Sequence, residues 1–364
     1  MCFFKKEGRI VVLRRSAGSI AWLGLLACCL GWLPAAHAQL GGRSSFAFLN
    51  VPSHARTSAL GGLNISLADQ DVNMLLSNPA LLDSGMHNRL AFNFVPYYAD
   101  ITYSTLTYAR NVGRTGIWGA GLQYMHYGEM PYTDESGNEL GIFSANDFAF
   151  TLTHSHTEGN FTLGTSLKVA GSSIESYSAC ALLADVGAVF QHPEKDWKIA
   201  LTAKNFGFQL HNYTPEDQPG LPFDVQIGTS FKPKFMPVRF SITAHHLHRF
   251  DIAYQDPNRK GTLDANGNEV KEEVGFADKL ARHLVVGGEL LLHKNFHLRL
   301  GYNHLINREL RLTNTSGGAG FSFGAMMRVR AFEIAFSRMY YHAAGGRNTF
   351  TLICDMGRIL KKKR

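Results

Sequence analysis

The chain has 364 residues, 45% of them hydrophobic, 12% aromatic and 36 glycine, and a formal net charge of +7. That charge sits at the ends: residues 1–38 carry five Lys/Arg and one Glu, so their loss leaves +3, and Lys361, Lys362, Lys363 and Arg364 supply +4. The body is nearly neutral, which gives no footprint for nucleic acid, and beyond residue 38 only Cys180 and Cys354 remain, both in strand-like runs, which excludes a disulfide framework.

Lys5, Lys6, Arg9, Arg14 and Arg15 precede an apolar run over 17–33 that closes on Ala36-His37-Ala38. This is the layout of a secretory signal peptide over 1–38, with cleavage expected between Ala38 and Gln39. Leu25-Leu26-Ala27-Cys28 has the look of a lipoprotein box, but it lies inside the apolar run. As a retained anchor, the run is marginal in length for a bilayer core of about 30 Å.

Residues 39–88 do not alternate. Ala59-Leu60-Gly61-Gly62, Ile65 with the run to Asp71, 72–76 and Asn78-Pro79-Ala80-Leu81-Leu82 read as short helical turns and loops. Pro79 biases Asn78 away from helix, so a helix should stop there. A small mixed segment ahead of the first strand is best placed in a barrel lumen, as a hatch.

From about residue 89 to 358 the chain alternates with period two. Phe161, Leu163, Leu167 and Val169 oppose Thr162, Gly164, Ser166, Lys168 and Ala170; Trp197, Ile199 and Leu201 oppose Lys198, Ala200 and Thr202; Phe296, Leu298, Leu300 and Tyr302 oppose His297, Arg299, Gly301 and Asn303. Such a pattern fits a lipid-facing barrel or a sandwich. Connection lengths favour the barrel. Tight turns near 113–115, 158–160, 192–196, 233–237, 294–295 and 328–330 each follow an even-numbered strand, while long connections over 129–144, 209–221, 251–280 and 305–316 follow odd-numbered ones. The prediction is an all-β transmembrane antiparallel barrel of about fourteen strands, its tight turns in the periplasm. Phe161, Trp197, Phe296 and Phe332 each open a strand after a tight turn and would form an aromatic girdle. Residues 359–364 read as a basic tail.

Other motifs are weaker. Asp134-Glu135-Ser136-Gly137-Asn138-Glu139 and Asp264-Ala265-Asn266-Gly267-Asn268-Glu269 lack the spacing of a calcium loop and read as turns. His154 with His156, and His245, His246 and His248, invite a metal reading, yet spacing fixes no third ligand. No Ser/His pair stands out from the many candidates and the glycines lie at strand ends and on the small lumen face, not in a phosphate loop, so neither a catalytic residue, a metal nor a cofactor is expected.

The runs Gln39-Leu40-Gly41-Gly42, Ser45-Phe46-Ala47-Phe48-Leu49, Ala59-Leu60-Gly61-Gly62, Asn64-Ile65-Ser66-Leu67-Ala68-Asp69 and Asn78-Pro79-Ala80-Leu81-Leu82 resemble the N-terminal region of the PorQ family. Its members are outer-membrane components of the type IX secretion system of Bacteroidetes. The likeness continues through 93–108, 221–228 and 276–283, nearly all of the mature chain. The resemblance implies the wider group of FadL-like and PorV-like barrels, with fourteen strands and an N-terminal hatch carrying Asn78-Pro79-Ala80. Barrels of this kind often end on an aromatic residue, and this one departs from that. It further implies an outer-membrane barrel that anchors a PorZ-like surface partner in an assembly with PorU and PorV, in contact with lipopolysaccharide. The 251–280 loop is the expected partner site, with Phe276, Leu280 and Leu284 four apart on a short docking helix. The alternative is passive transport of a hydrophobic small molecule, which the lumen charges Lys168, Lys198, Arg299, Glu289 and Glu333 disfavour.

Overall fold

The computed structural model describes residues 44–214, 219–253, 262–263, 269–270, 274–310, 318–342 and 345–361. The expected signal peptide and its cleavage point at Ala38 and Gln39 lie outside these residues.

The wall begins with β1 (Arg89–Pro96), β2 (Thr102–Asn111), β3 (Ile117–Thr133), β4 (Glu139–Glu158) and β5 (Phe161–Ile174). It continues with β6 (Tyr177–Gln191), β7 (Trp197–His211), β8 (Asp224–Phe231) and β9 (Val238–Ala244). After β12 (Leu284–His293) and β13 (Phe296–Asn303) come β14 (Phe321–Val329), β15 (Phe332–His342) and β16 (Gly345–Asp355). Each strand pairs antiparallel with its neighbours, β9 pairs with β12, and β1 closes on β16, giving a closed fourteen-stranded barrel. Two short strands, β10 (Thr262–Leu263) and β11 (Glu269–Val270), pair with each other outside it. Closure gives every strand of the wall a neighbour on both sides, the condition for strands to cross lipid.

Alternation decides which face meets lipid. Phe161, Leu163, Leu167 and Val169 of β5 are exposed, whereas Gly164, Ser166, Lys168 and Ala170 are buried. Around the barrel the same holds: Leu122, Phe150, Leu201, Ile242, Leu300, Phe323, Ile334 and Phe350 point outward, while Thr107, Thr151, Thr202, Thr243, Ser322 and Thr349 point in. An outer face this apolar is stable only against hydrocarbon. The expected girdle residues lie at the tight-turn rim, where Phe161 packs on Phe190 at 5.0 Å and Trp197 donates Nε1–H to Thr229 at 2.9 Å. His154 belongs to this belt, stacked on Trp118 at 4.6 Å, and His156 is exposed beside it.

Residues 44–88 fill the lumen as short turns, with α1 (Ala55–Ala59) the one α-helix among them. Each later 3-10 turn is started by a polar cap: Asp71 accepts from Asn73 N, Asn78 from Ala80 N and Asp83 from Gly85 N. Pro79 opens its turn at the first helical position, so the preceding turn, Val72–Leu76, ends before Asn78 as expected.

Several boundaries differ from the sequence reading. The 129–144 connection is mostly strand: β3 and β4 keep pairing from Glu129↔Ser144 to Thr133↔Glu139, because Asp134 Oδ1 accepts from the amides of Ser136 (2.9 Å) and Asn138 (2.8 Å) and tightens the turn. On the long-loop rim, the β5–β6 connection is only two residues. At the C-terminus, residues 356–361 form a helix, α4 (Met356–Lys361), started by Asp355 accepting from Arg358 N, where a tail was expected from 359.

Candidate functional site

The hatch is fixed to one side of the wall by a buried ionic cluster. Arg56, on α1, donates Nε and Nη2 to the two carboxylate oxygens of Glu289 on β12 (3.1 and 3.0 Å), Nη2 to Asp69 (2.6 Å) and Nη1 to Ala68 O (2.7 Å). Arg299 on β13 adds Nε to Glu289 at 2.8 Å, and Arg239 on β9 reaches both Glu289 (3.2 Å) and Asp69. Glu289 is fully buried and Arg56 2% exposed. Charges this deep persist only when each is paired, and a bidentate guanidinium–carboxylate pair also fixes orientation.

The Asn78-Pro79-Ala80 motif holds the opposite side. Asn78 is fully buried, donating Nδ2 to Ile65 O at 3.1 Å while its Oδ1 caps the turn. The turn lies directly on β5 and β6, where Gly164 and Gly187 leave room: a Cβ on Gly164 would overlap the Pro79 carbonyl, and one on Gly187 the Asn78 side chain.

Between β7 and β8 the wall ladder stops short. β7 pairs with β8 only from Trp197↔Phe231 to Lys204↔Asp224, and on its other side pairs with β6 as far as His211. At the break sits a bulge: the β6–β7 register shifts between Ala184 and Val186, Asn205 takes φ 57°, and Lys204 and Asn205 are both buried. Above it Phe206, Phe208 and Leu210 face outward, 38%, 57% and 60% exposed, paired with β6 but with no partner on the β8 side. From inside, the notch is covered by the segment before β8, held by Asn205 Nδ2 to Pro222 O (3.1 Å) and Ser45 N to Gly220 O (3.0 Å).

Behind the notch, a cavity of about 30 Å³ separates hatch from wall, lined by Leu49, Asn50, Ser53, Asn64, Lys204 and Gln226 among others. Above it lies an apolar cluster containing Phe46, Phe48, Tyr103, Met125 and Leu183, with Leu221 and Tyr213 against it. Of the five lumen charges expected to spoil an apolar path four are paired off, and Lys198 is half-buried at the second residue of β7, by the tight-turn rim. Lys168 meets Asp185 at 2.6 Å, Arg299 meets Glu289, and Glu333 meets Arg328 at 2.6 Å near the tight-turn rim.

At the long-loop rim, α2 (Phe276–Arg282) and α3 (His304–Leu310) are clamped by Asp278, which accepts from His304 (3.0 Å), Arg282 (3.0 Å) and Arg308 (2.7 Å). Against the cost of partial burial, these donors bring the Asp278 carboxyl down to about 2. Phe276 and Leu280 are exposed, and Phe276 packs on Phe250 at 5.6 Å. Leu284 is a correction: it lies past the helix, first residue of β12 and paired with Ala244, because the chain rejoins the wall ladder at that point. The acidic tip at 264–268 lies outside the described residues.

Sequence reasoning found the lumen carboxylate Glu289 and its neighbour Arg299 but missed their hatch partners Arg56 and Asp69. The signal was there, since an arginine such as Arg56 in a segment otherwise destined for burial requires opposite charge facing it. It also missed Asp224, which the fold brings to His245 and His246.

No protein-family model matches the chain. No curated protein matches it either. Among solved structures it is similar to the toluene transporter TbuX of Ralstonia pickettii (10% identity, TM-score 0.46, 84% of this chain and 97% of that one). A TodX monoaromatic hydrocarbon channel mutant (11%, 0.47, 82% and 97%) and a Pseudomonas aeruginosa FadL homologue (12%, 0.43, 83% and 97%) are comparable. Likeness at these values adds nothing to the barrel traced from the strand ladder.

Proposed function

We propose that this chain is a hatch-closed barrel of the outer membrane that lets small apolar molecules pass between the outer leaflet and the periplasm. The observation that carries this reading is the interrupted ladder between β7 and β8, with the hatch–wall cavity directly behind it. The hatch is bolted by ion pairs at β9, β12 and β13, whereas at the notch it is tied by the hydrogen bonds Lys204 Nζ to Leu76 O (2.9 Å) and Asn205 Nδ2 to Asn50 Oδ1 (3.1 Å), so the notch side is where it yields first. Phe206, Phe208 and Leu210 outside and the Phe46–Phe48 cluster inside offer an apolar solute contact on both sides of the break. A cavity of 30 Å³ holds about one water, so passage requires the hatch edge or the 219–223 segment to move. The chemistry is passive: the chain binds and admits, and no bond is made or broken.

The test is uptake of a fluorescent apolar probe by cells lacking their own hydrophobic uptake barrel. Wild type should raise uptake above the host background, and Asn50→Trp, which fills the cavity, should return it there. Wild-type uptake equal to background contradicts the reading.

A second reading, anchoring of a surface partner, has its own support in the α2–α3 platform. Its clamp at Asp278 makes a rigid base for the exposed Phe250, Phe276 and Leu280. The resemblance to the PorQ family names the partner class, the PorZ-like, PorU and PorV proteins of the type IX attachment machinery. Phe276→Asp with Leu280→Asp should abolish co-purification of such a partner under this reading, and leave probe uptake unchanged under the first.

A further inference from the structure

We propose that Asp224, His245 and His246 form a binding site for a divalent transition metal of the zinc class at the long-loop rim, with His248 within reach as a fourth ligand. The inference stands on these residues alone and is independent of the transport reading.

The topology builds the cluster. Asp224 opens β8 and His245 directly follows β9, and because Ile227 pairs with Ala244 these two strand ends adjoin. The chain then reverses at His246, whose φ of 55° lets its amide donate to Asp224 Oδ1 at 2.7 Å. One ligating atom from each of the three side chains lies within 4.8 Å of the other two. Two imidazoles and a carboxylate are the donors of open zinc sites, and they suit zinc better than calcium or magnesium, which prefer oxygen.

Two unsatisfied nitrogens point to a ligand. His245 is 4% exposed, and its Nε2 has no hydrogen-bond partner; His248 Nδ1 is buried and equally without one, 4.0 Å from Asp224 Oδ1. The Nδ1 atoms of His245 and His246 face each other in close contact. A proton between them satisfies that pair in either tautomer and still leaves His245 Nε2 bare, whereas a cation drawn into the cluster takes up imidazole lone pairs directly.

The surroundings hold the ligands in place. Gln226 Nε2 donates to Asp224 Oδ2 at 2.7 Å, and His283 ties down the backbone through His245 O (2.7 Å) and Phe250 O (3.1 Å). Outer partners of this kind orient metal ligands. β8 and β9 have 8 and 7 residues and share five register pairs, so a bound ion would staple the lowest part of the wall.

The experiment uses the full chain, folded in detergent and carrying no polyhistidine tag, titrated with Zn²⁺ against a chromophoric chelator and separately with Co²⁺. The expected result is one Zn²⁺ per chain and a tetrahedral Co²⁺ visible spectrum. Asp224→Asn and His246→Ala should each lose the spectrum and weaken binding at least about a hundredfold, and Gln226→Leu should weaken it roughly ten- to a hundredfold. Each variant is first shown to be folded by its heat-modifiable gel shift. Absence of stoichiometric binding, or binding and a spectrum that survive in both ligand variants, overturns the proposal.

Discussion

Replacing Glu289 by Gln should loosen the hatch without opening the wall. Glu289 is fully buried and accepts from Arg56 twice, Arg299 once and Arg239 once. The amide keeps the shape but removes the charge, leaving Arg56 and Arg239 to share Asp69, whose side chain is 35% exposed, and taking from Arg299 its carboxylate partner. Breaking one partner out of a buried pair costs about 3–5 kcal/mol. At about 1.4 kcal/mol per tenfold, the undocked hatch population should rise roughly a hundred- to a few-thousand-fold. Trypsin reads this directly, because the Arg56 bond is inaccessible while Arg56 is 2% exposed. When reclosing outpaces cleavage, the cutting rate follows the open population. Cleavage after Arg56 should therefore accelerate by that factor, with new current openings in planar bilayers and an unchanged gel shift of the folded barrel. A cleavage rate within about threefold of wild type would show that the cluster does not hold the hatch.

Three further outcomes follow from the same geometry. Gly164→Ala places a Cβ against the Pro79 carbonyl and should lower stability by about 1–3 kcal/mol in urea, while Gly141→Ala, with nothing within 4 Å, should have no effect; equal effects would refute the close contact. Leu167→Arg, mid-strand on the outer face of β5, should cost about 2–4 kcal/mol in lipid and Leu140→Arg, in the β3–β4 hairpin, about 0–1; a reversed order would contradict the placement of the lipid band. Asp278 has its pKa lowered on folding, so the clamp's contribution is complete above the unfolded value near 4 and is lost as pH falls toward about 2. Amide protection of residues 276–282 should hold to about pH 4 and fall between about pH 4 and 2; protection unchanged across that window would remove Asp278 from the clamp.

The wall was legible because a strand's faces alternate and lipid tolerates only one kind of face. Phe161 through Val169 announce orientation, tilt apart, as plainly as the ladder does. Strand ends were less so: the β3–β4 hairpin overruns its predicted stop because the Asp134 turn is tight, which is a matter of local hydrogen bonding that polarity does not report. The hatch was located by its lack of alternation and by the Asn78 turn. Its bolts were not, since Arg56 and Glu289 are 233 residues apart and nothing in either neighbourhood names the other. The same holds for Asp224, whose meeting with His245 and His246 depends on the β8–β9 register. The notch at Asn205 is likewise a property of pairing, with a single residue in the left-handed region as its local sign.

The central claim is that this barrel takes an apolar guest in past its hatch, and native mass spectrometry of the untagged-ligand state tests it most directly. The protein is extracted from its host membrane in mild detergent, purified and weighed intact. The account predicts a lone barrel with an added mass of one small apolar molecule, released when Asn50→Trp fills the cavity. Near one-to-one recovery of surface proteins with no such added mass would contradict it and give the anchoring role to the α2–α3 platform.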